Sequence, residues 1–350
     1  MKRLQIWLTS FLFLLTSVYA KERLLVVTTL PDLASIAQEV GGEKVQAVPL
    51  AKGYQDPHYV IPSLKLMSVA NKADLFVEIG LQLELWSEKV LDGARNPKIR
   101  PGQKGYVLAS QGVRLMEIPK VLSRSGGDLH PYGNPHIWID PLNAKIIAKN
   151  ITSGLIRVSP ENENYFHKRL KQFQRKISIA MYGRKLVALF GPSILDKLYK
   201  KKRLIPFLKK KKLSPRLQKR LGAKSLFELL GGWVKTSLAF RGKKIVFYHQ
   251  SWIYFAQRFG LKIRGYVEEK PGISPSQAHR QYMIKLIQEE NIPVIAVTNY
   301  YDDTIPRLLA KETGAKVVIL PAMTGGVPAA KNYFRFMDYL LETLAKAYGD

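Results

Sequence analysis

Short apolar runs alternate with amphipathic segments along most of the chain, which predicts repeated strand–helix units. The first run, LLVVTT from Leu24, is apolar and β-branched, as expected for a buried strand. LPDLASIAQEVGG follows, and its apolar residues recur at helical spacing until Gly41 and Gly42 end the helix. The next segments predict a strand, a helix and two more strands: VQAVPL, SLKLMSVANKA, LFVEIG and YVLAS. The pattern therefore predicts an α/β lobe whose parallel sheet is covered by helices.

The C-terminal part of the chain repeats this alternation. Four strands are predicted at KKIVFYH, KIRGYVE, IPVIAVTN and AKVVIL. Helices are predicted between and after them, at SWIYFAQRFG, SPSQAHRQYMIKLIQEEN, TIPRLLAKETG and NYFRFMDYLLETLAKAY. A second α/β lobe with a parallel sheet follows from this pattern.

A long helix is predicted between the two lobes. Ser159, Pro160 and Glu161 form a helix-start signal, and the amphipathic pattern behind them extends for about 28 residues, roughly 42 Å at 1.5 Å per residue. We therefore expect two lobes joined by one long rigid helix. The expected divisions are a signal peptide at 1–20, an N-terminal lobe at 21–155, a bridging helix at 156–185, a basic helical insertion at 186–242 and a C-terminal lobe at 243–350.

The first 20 residues have the pattern of a secretory signal peptide. Lys2 and Arg3 precede a short apolar core, and Val18-Tyr19-Ala20 resembles a cleavage site. The apolar core is shorter than the roughly 20 residues of a transmembrane helix. The sequence contains no cysteine, which argues against a lipid-anchored cleavage site, disulfides and thiolate ligands. We expect a periplasmic protein without a lipid anchor, in which any transition metal is bound by nitrogen and oxygen.

The chain is strongly basic, with a formal net charge of +28. Residues 197–220 contain twelve Lys or Arg and no acidic residue. A solvated surface excursion of short helices is the simpler explanation of this segment, and an electrostatic contact with anionic lipid or an acidic partner is the alternative. Nucleic acid is not expected as a partner, because the protein is expected to be exported.

Three histidines lie in segments suited to a metal site. His136 lies in NPHIWIDP, between two prolines that disfavour a helix and fix a rigid loop. His58 lies in DPHYVIPS, again directly after a proline. His249 follows the apolar run IVFY and is expected at the carboxyl end of a strand, where open parallel sheets bind ligands. Imidazole is the commonest metal ligand in proteins, so the three together suggest a metal site.

These segments, in this order, resemble the zinc- and manganese-binding solute-binding proteins of ABC importers. The resemblance covers nearly all of the chain after the signal peptide except the basic segment around 190–240. It implies that His58 and His136 from the first lobe and His249 from the second bind one ion between the lobes. It also implies that the protein delivers this ion to a membrane permease powered by an ATPase, and we expect it to act as a monomer.

The sequence departs from the family at the fourth ligand. The family usually has a carboxylate after the strand that corresponds to AKVVIL, whereas this chain continues PAMTGG. Water is the expected fourth ligand, with Asp302 or Asp303 as alternatives, although either could instead cap the following helix. Glu269 or Glu268 could orient a ligand, or could simply belong to a charged loop.

A second departure concerns the histidine-rich loop that many zinc members carry before the second ligand. Residues 123–133 contain only His130, so delivery of the ion through such a loop is not expected.

The nitrogen-rich ligand set favours Zn²⁺, with Mn²⁺ as the alternative. Three histidines with an open fourth position also describe a catalytic zinc hydrolase, but no HExxH motif and no glutamate beside a ligand histidine is present. A surface adhesin is a third functional class, and the basic segment is the one sequence feature that favours it. A carrier is therefore expected rather than an enzyme.

Overall fold

The computed structural model describes residues 23–119 and 130–349, which form two parallel four-stranded sheets. The strands of the first sheet are β1 (Leu24–Thr28), β2 (Val45–Pro49), β3 (Leu75–Glu78) and β4 (Tyr106–Leu108). Those of the second are β5 (Lys244–Phe247), β6 (Lys262–Tyr266), β7 (Val294–Thr298) and β8 (Lys316–Leu320). Their orders are β2-β1-β3-β4 and β6-β5-β7-β8, so the second sheet repeats the topology of the first.

Helices cover both sheets and connect them. The first lobe contributes α1 (Pro31–Gly41), α2 (Leu64–Asn71), α3 (Trp86–Ala94) and α4 (Pro141–Val158). Between the sheets lie α5 (Glu163–Tyr182), α6 (Arg184–Lys200), α7 (Leu204–Lys210), α8 (Pro215–Leu221) and α9 (Gly232–Thr236). The second lobe contributes α10 (Ile253–Phe259), α11 (Gln277–Glu289), α12 (Thr304–Thr313) and α13 (Tyr333–Tyr348). The predicted fold class, two α/β lobes with parallel sheets, is confirmed.

A continuous apolar core runs through both lobes. It includes Val27 of the first sheet, Ile177 of α5, Trp233 of α9 and Phe247 of the second sheet, each at most 4 % exposed. Burial of apolar surface is the main favourable term in folding. The lobes are therefore held together by shared core packing as well as by the chain that links them.

The connecting helix is shorter than its sequence pattern predicts. Helix α5 has 20 residues, about 30 Å at 1.5 Å per residue, instead of about 28 residues. A 3-10 turn at Pro160–Asn162 precedes it, and Gly183, with φ of 85°, ends it. A side chain at Gly183 would meet the backbone of Gly231 at 3.0 Å, so only glycine fits this close approach. Helix α5 packs against α1 and α4 of the first lobe and against α9, and so forms the rigid connection.

The basic segment folds into short helices that pack on α5 and on one another. Gly191, with φ of 71°, interrupts α6 ahead of Pro192, and Pro215 occupies the first turn of α8. Leu204 and Leu208 of α7 are buried. All twelve lysines and arginines of 197–220 are exposed, and no carboxylate in the described part of the chain lies within ion-pair distance of them.

Polar contacts join the two lobes beside the NPHIWIDP segment. Asp140, which caps α4 by accepting from the backbone N–H of Leu142, also receives two hydrogen bonds from Arg258 of α10, at 2.7 and 2.6 Å. Tyr254, one turn earlier on α10, donates from its hydroxyl to the carbonyl of Asn134 at 2.8 Å. Helix α10 therefore fixes both ends of this segment.

The expected signal peptide lies outside the described residues. Within residues 23–119 and 130–349, no helix combines the length and the apolar character needed to cross a membrane.

Replacing Arg258 with leucine should lower the free energy of unfolding by about 3–5 kcal/mol, because the charge of Asp140 would stay buried without a partner. The side chains of this pair are 14 % and 5 % exposed. Urea unfolding followed by circular dichroism measures the change.

The matched control is Arg307→Leu. Arg307 binds Asp303 at 2.7 Å, a similar distance, but its side chain is 64 % exposed, so solvent screens the pair and stability should change little. Equal losses in the two variants would contradict a special role for the buried pair.

Candidate metal centre

His136 is held in one orientation by Asn134. Asn134 Oδ1 accepts hydrogen bonds from the backbone N–H and from Nδ1 of His136, both at 3.0 Å. The proton of the neutral ring is therefore on Nδ1, and Nε2 carries a free lone pair. Nε2 is buried and has no hydrogen-bond partner among residues 23–119 and 130–349. Burial, with added repulsion from His58, His249 and His130, lowers the pKa of His136 well below 6.5, which keeps this lone pair available.

His58 is oriented in the same way by Asp56. Asp56 Oδ1 accepts from the backbone N–H of His58 at 2.9 Å and from its Nδ1 at 2.7 Å. The loop that carries both residues leaves the carboxyl end of β2. The DPH and NPH segments therefore share one arrangement. In each, the side chain of the Asp or Asn two residues before the histidine accepts from Nδ1 of the ring, which leaves Nε2 facing the site.

His249 is oriented by a carboxylate from a neighbouring strand end. It lies just beyond β5, and its Nδ1 donates to Oε2 of Glu268 at 2.6 Å. Glu268 follows β6, is 6 % exposed, and accepts a further hydrogen bond from the backbone N–H of Gly272 at 3.2 Å. The glutamate that contacts a histidine of the cluster is therefore Glu268. Glu269 instead accepts from Ser276 at 3.1 Å in an exposed loop.

The structure brings together the three histidines named from the sequence. One ligand nitrogen from each of His58, His136 and His249 lies within 4.8 Å of the other two. Each Nδ1 has an oxygen acceptor, which leaves the Nε2 atoms as the ring nitrogens that can bind one cation. Neutral imidazoles with second partners on Nδ1 are the usual form of histidine ligands to zinc. The donor set and the buried, unpartnered Nε2 of His136 both fit a transition-metal ion.

The acidic residues considered for the fourth position have other partners. Asp302 accepts from the backbone N–H of Thr304 at 2.6 Å and so caps α12. Asp303 pairs with Arg307 at 2.7 Å. Both contacts are local to the start of α12, as the capping alternative predicts for one of them.

The PAMTGG loop is bound to the first lobe. Thr324 donates to the carboxylate of Asp32 from its hydroxyl at 2.8 Å and from its backbone N–H at 3.1 Å. Asp32 lies in the first turn of α1 and is fully buried, and burial raises its pKa to about 7. The loop after β8, where the family resemblance implied a carboxylate ligand, here donates to a carboxylate of the other lobe.

Sequence reasoning missed several residues that shape the site. Asp56 and Asn134 could have been found from their shared spacing to a Pro-His pair. Glu268 could not be separated from Glu269, because side-chain direction after β6 depends on the turn that follows. His130, counted only as the sole histidine of its loop, lies 3.2 Å from His58, measured between their Nε2 atoms.

Replacing Glu268 with glutamine should weaken zinc binding about 10–100-fold, because the charged acceptor that orients His249 and increases its basicity would be lost. Competition with a zinc chelator dye measures the change. Glu269→Gln is the matched control at the adjacent position, and it should leave the affinity unchanged. The reverse order of effects would show that the wrong glutamate has been identified.

The chain matches a known protein family over most of its length. The family model "Zinc-uptake complex component A periplasmic" matches residues 26–180 and 223–347. A relative, the high-affinity zinc uptake system protein ZnuA of Bacillus subtilis, is 23 % identical over 308 residues, which cover 87 % of this chain and 80 % of the relative. The manganese ABC transporter substrate-binding lipoprotein PsaA of Streptococcus pneumoniae is 29 % identical over 163 residues, 45 % of this chain and 49 % of that protein.

A solved structure supports the fold. The laminin-binding protein Lmb of Streptococcus agalactiae, described as having adhesin and metal transporting activity, superposes with a TM-score of 0.64 at 22 % identity, covering 93 % of this chain and 99 % of Lmb. The matched family consists of solute-binding proteins, so the hydrolase alternative is not retained and the expectation of a non-enzyme is confirmed. The chain belongs to the zinc-uptake complex component A periplasmic family.

Proposed function

We propose that this protein captures Zn²⁺ outside the cytoplasm and delivers it to the membrane permease of an ABC importer. The observation that carries the proposal is the convergence of three imidazoles, His58, His136 and His249, whose Nδ1 atoms all have oxygen partners. Two come from the first lobe and one from the second. Binding of the ion therefore depends on the relative position of the lobes, which gives a permease a means of distinguishing the loaded form.

Zinc is preferred over manganese because of the ligand chemistry. Zn²⁺ accepts three imidazoles and one further ligand in a tetrahedron, whereas Mn²⁺ prefers more oxygen ligands. Within the described residues the clustered ligand atoms are all histidine nitrogens. The affinity of such sites for divalent ions also rises from manganese to zinc.

The family supports the transport role and the location. The named relatives include a zinc uptake protein and a manganese ABC transporter lipoprotein. Unlike a lipoprotein, this sequence has no cysteine to carry an acyl anchor, so we propose that it acts in the periplasm as an unanchored monomer.

The purified protein should bind one zinc ion, and zinc should displace bound manganese at near-stoichiometric addition. Competition calorimetry with a chelator of known affinity measures both. Tighter binding of manganese than of zinc would contradict the choice of metal.

Alanine variants locate the site. His58→Ala, His136→Ala and His249→Ala should each weaken zinc binding about 100-fold or more, since each removes a ligand nitrogen. His167→Ala is the matched control, because His167 is exposed on α5 and pairs only with Glu163 one turn away. If two of the three cluster variants bind zinc as the parent does, the site assignment is wrong.

We also propose that the basic segment binds anionic lipid. The family model matches residues 26–180 and 223–347, so the basic segment lies in the stretch that the model does not match. Its twelve cations in 197–220 are exposed, while Leu204 and Leu208 anchor it to the fold. Ile194 and Leu217, 53 % and 37 % exposed, add apolar contacts on the same segment. The buried leucines fix the segment to the fold, and the described residues place no carboxylate within ion-pair distance of its exposed cations. Such a surface suits contact with an anionic membrane.

Neutralising four of these cations should weaken binding to vesicles of phosphatidylglycerol and phosphatidylcholine at least about ten-fold at low salt, since each lysine near the surface contributes about 1 kcal/mol. The variant replaces the exposed residues Lys209, Lys210, Lys211 and Lys212 with glutamine. Vesicle cosedimentation measures binding, and zinc affinity should not change.

The control makes the same charge change on the first lobe. It replaces four exposed lysines there with glutamine, namely Lys65, Lys72, Lys89 and Lys98. Equal weakening by both sets would mean that net charge alone, and not the basic segment, drives association.

A further inference from the structure

The loop that carries His58 touches the loop after β8 of the second lobe. Gly53 lies between β2 and His58 and is buried. A Cβ atom on Gly53 would lie 2.3 Å from the carbonyl oxygen of Thr324 and 2.4 Å from the backbone nitrogen of Gly326. A Cβ atom on Gly326 would in turn lie 2.7 Å from the carbonyl oxygen of Gly53. The two backbones therefore meet directly, in a contact that we call the glycine seam (Gly53, Thr324 and Gly326).

The close approach, and not the backbone conformation, requires glycine at both positions. Glycine is usually needed where φ is positive, as it is at Gly183. Neither Gly53 nor Gly326 is among the glycines with positive φ. An alanine could adopt the φ of either residue, but its methyl group would collide with backbone atoms of the other lobe. The seam is thus a place where a side chain on either lobe would push the lobes apart.

The second-lobe side of the seam is fixed by hydrogen bonds. The carbonyl of Gly326 accepts from Nδ2 of Asn299, just beyond β7, at 2.9 Å. Thr324 donates to the buried carboxylate of Asp32 in α1, from its hydroxyl at 2.8 Å and from its backbone N–H at 3.1 Å. The loop after β8 is therefore attached to its own lobe and to the first lobe beside the glycine contact.

The first-lobe side of the seam is a closed turn. The backbone N–H of Gln55 donates to the carbonyl of Lys52 at 3.0 Å, and Gln55 Oε1 accepts from the backbone N–H of Lys52 at 2.8 Å. Gly53 lies inside this turn, and the Asx turn of His58 follows it directly. A displacement of Gly53 is therefore transmitted to His58.

The other two histidines of the cluster are held together by a different contact. The Asn134 side chain donates to the carbonyl of Gln250, which joins the loops of His136 and His249. His58 lies outside that contact, although one of its ring nitrogens is within 4.8 Å of a ligand nitrogen of each of the other two. The place where its loop meets the second lobe therefore determines how far His58 lies from the pair.

We propose that Gly53 and Gly326 are positioning residues of the metal centre, whose contact sets the distance of His58 from His136 and His249. This inference rests on the proposed zinc function and adds residues that do not touch the ion. Because carbon atoms pack at about 3.5 Å or more, a methyl group on Gly53 would separate the two loops by about 1 Å. A binding site needs its ligands held to within about 0.5 Å, so this separation would disrupt it.

Gly53→Ala and Gly326→Ala should each weaken zinc binding at least about ten-fold, as changes to residues that orient metal ligands do. Competition with a zinc chelator dye measures the affinity, and urea unfolding followed by circular dichroism shows whether each variant is folded. The visible d–d bands of the Co²⁺-substituted variants should also change, because His58 is displaced. Since both variants open the same seam, the double variant should bind zinc little more weakly than either single variant.

The matched control is Gly105→Ala, a collision within one lobe. A Cβ atom on Gly105 would lie 2.7 Å from the carbonyl oxygens of Asp74 and Lys98, and Gly105 is again not among the glycines with positive φ. Gly105 precedes β4, at the end of the parallel sheet opposite to the loop that carries His58. This variant should unfold at a lower urea concentration, but its zinc affinity and Co²⁺ spectrum should equal those of the parent.

The outcomes separate this inference from the proposed function. Folded Gly53→Ala and Gly326→Ala variants with the affinity and spectrum of the parent would overturn the role of the seam and leave the three-histidine site standing. If Gly105→Ala weakens zinc binding as much as they do, lost stability is the cause and the inference is wrong. If one seam variant does not fold, the other decides, and failure of both would make the seam a requirement of folding instead. A parent that binds no zinc overturns both proposals.

Discussion

The proposed metal centre depends on the hydrogen bond that each histidine of the cluster makes through Nδ1. A histidine ring can present either nitrogen, and in a flexible loop neither would be presented reliably. Asp56, Asn134 and Glu268 remove that freedom by accepting from His58, His136 and His249. One nitrogen of each ring then lies within 4.8 Å of the other two, and the rings of His136 and His249 are buried. The cost of burying the unpartnered Nε2 of His136 is offset when a cation binds.

The contacts between the lobes explain how ligands from distant parts of the sequence can form one site. Asn134 donates to the carbonyl of Gln250, the residue after His249, and accepts through its own carbonyl from Tyr254. Arg258, on the next turn of α10, binds Asp140. The His136 and His249 loops are thus tied together by the protein itself. His58 is positioned by its own Asx turn and by the hydrogen bond from Trp86 Nε1 to the carbonyl of Pro57.

The sequence was informative where local chemistry decides the structure. Strand positions, both lobes and the three ligand histidines follow from apolar runs and from Pro-His pairs. The length of α5 did not follow, because Gly183 stops it through a close approach to Gly231 that only the folded chain creates. The roles of Asp302 and Asp303 could not be decided either, since acidic residues before a helix serve equally as caps and as ligands. His130 was counted but not placed, because a contact across 72 residues has no signature in the local pattern.

The missing carboxylate after β8 has a physical explanation in the lobe interface. Asp32 is fully buried beneath the PAMTGG loop, and Thr324 donates to it from its hydroxyl and from its backbone N–H. A carboxylate at position 324 would remove the hydroxyl donor and place a second negative charge beside one whose pKa burial already raises to about 7. Threonine instead donates to Asp32 and closes the interface between α1 and the loop after β8. The chain therefore joins its lobes at the position where the family resemblance implied an oxygen ligand, and the clustered ligand atoms of the described residues are histidine nitrogens.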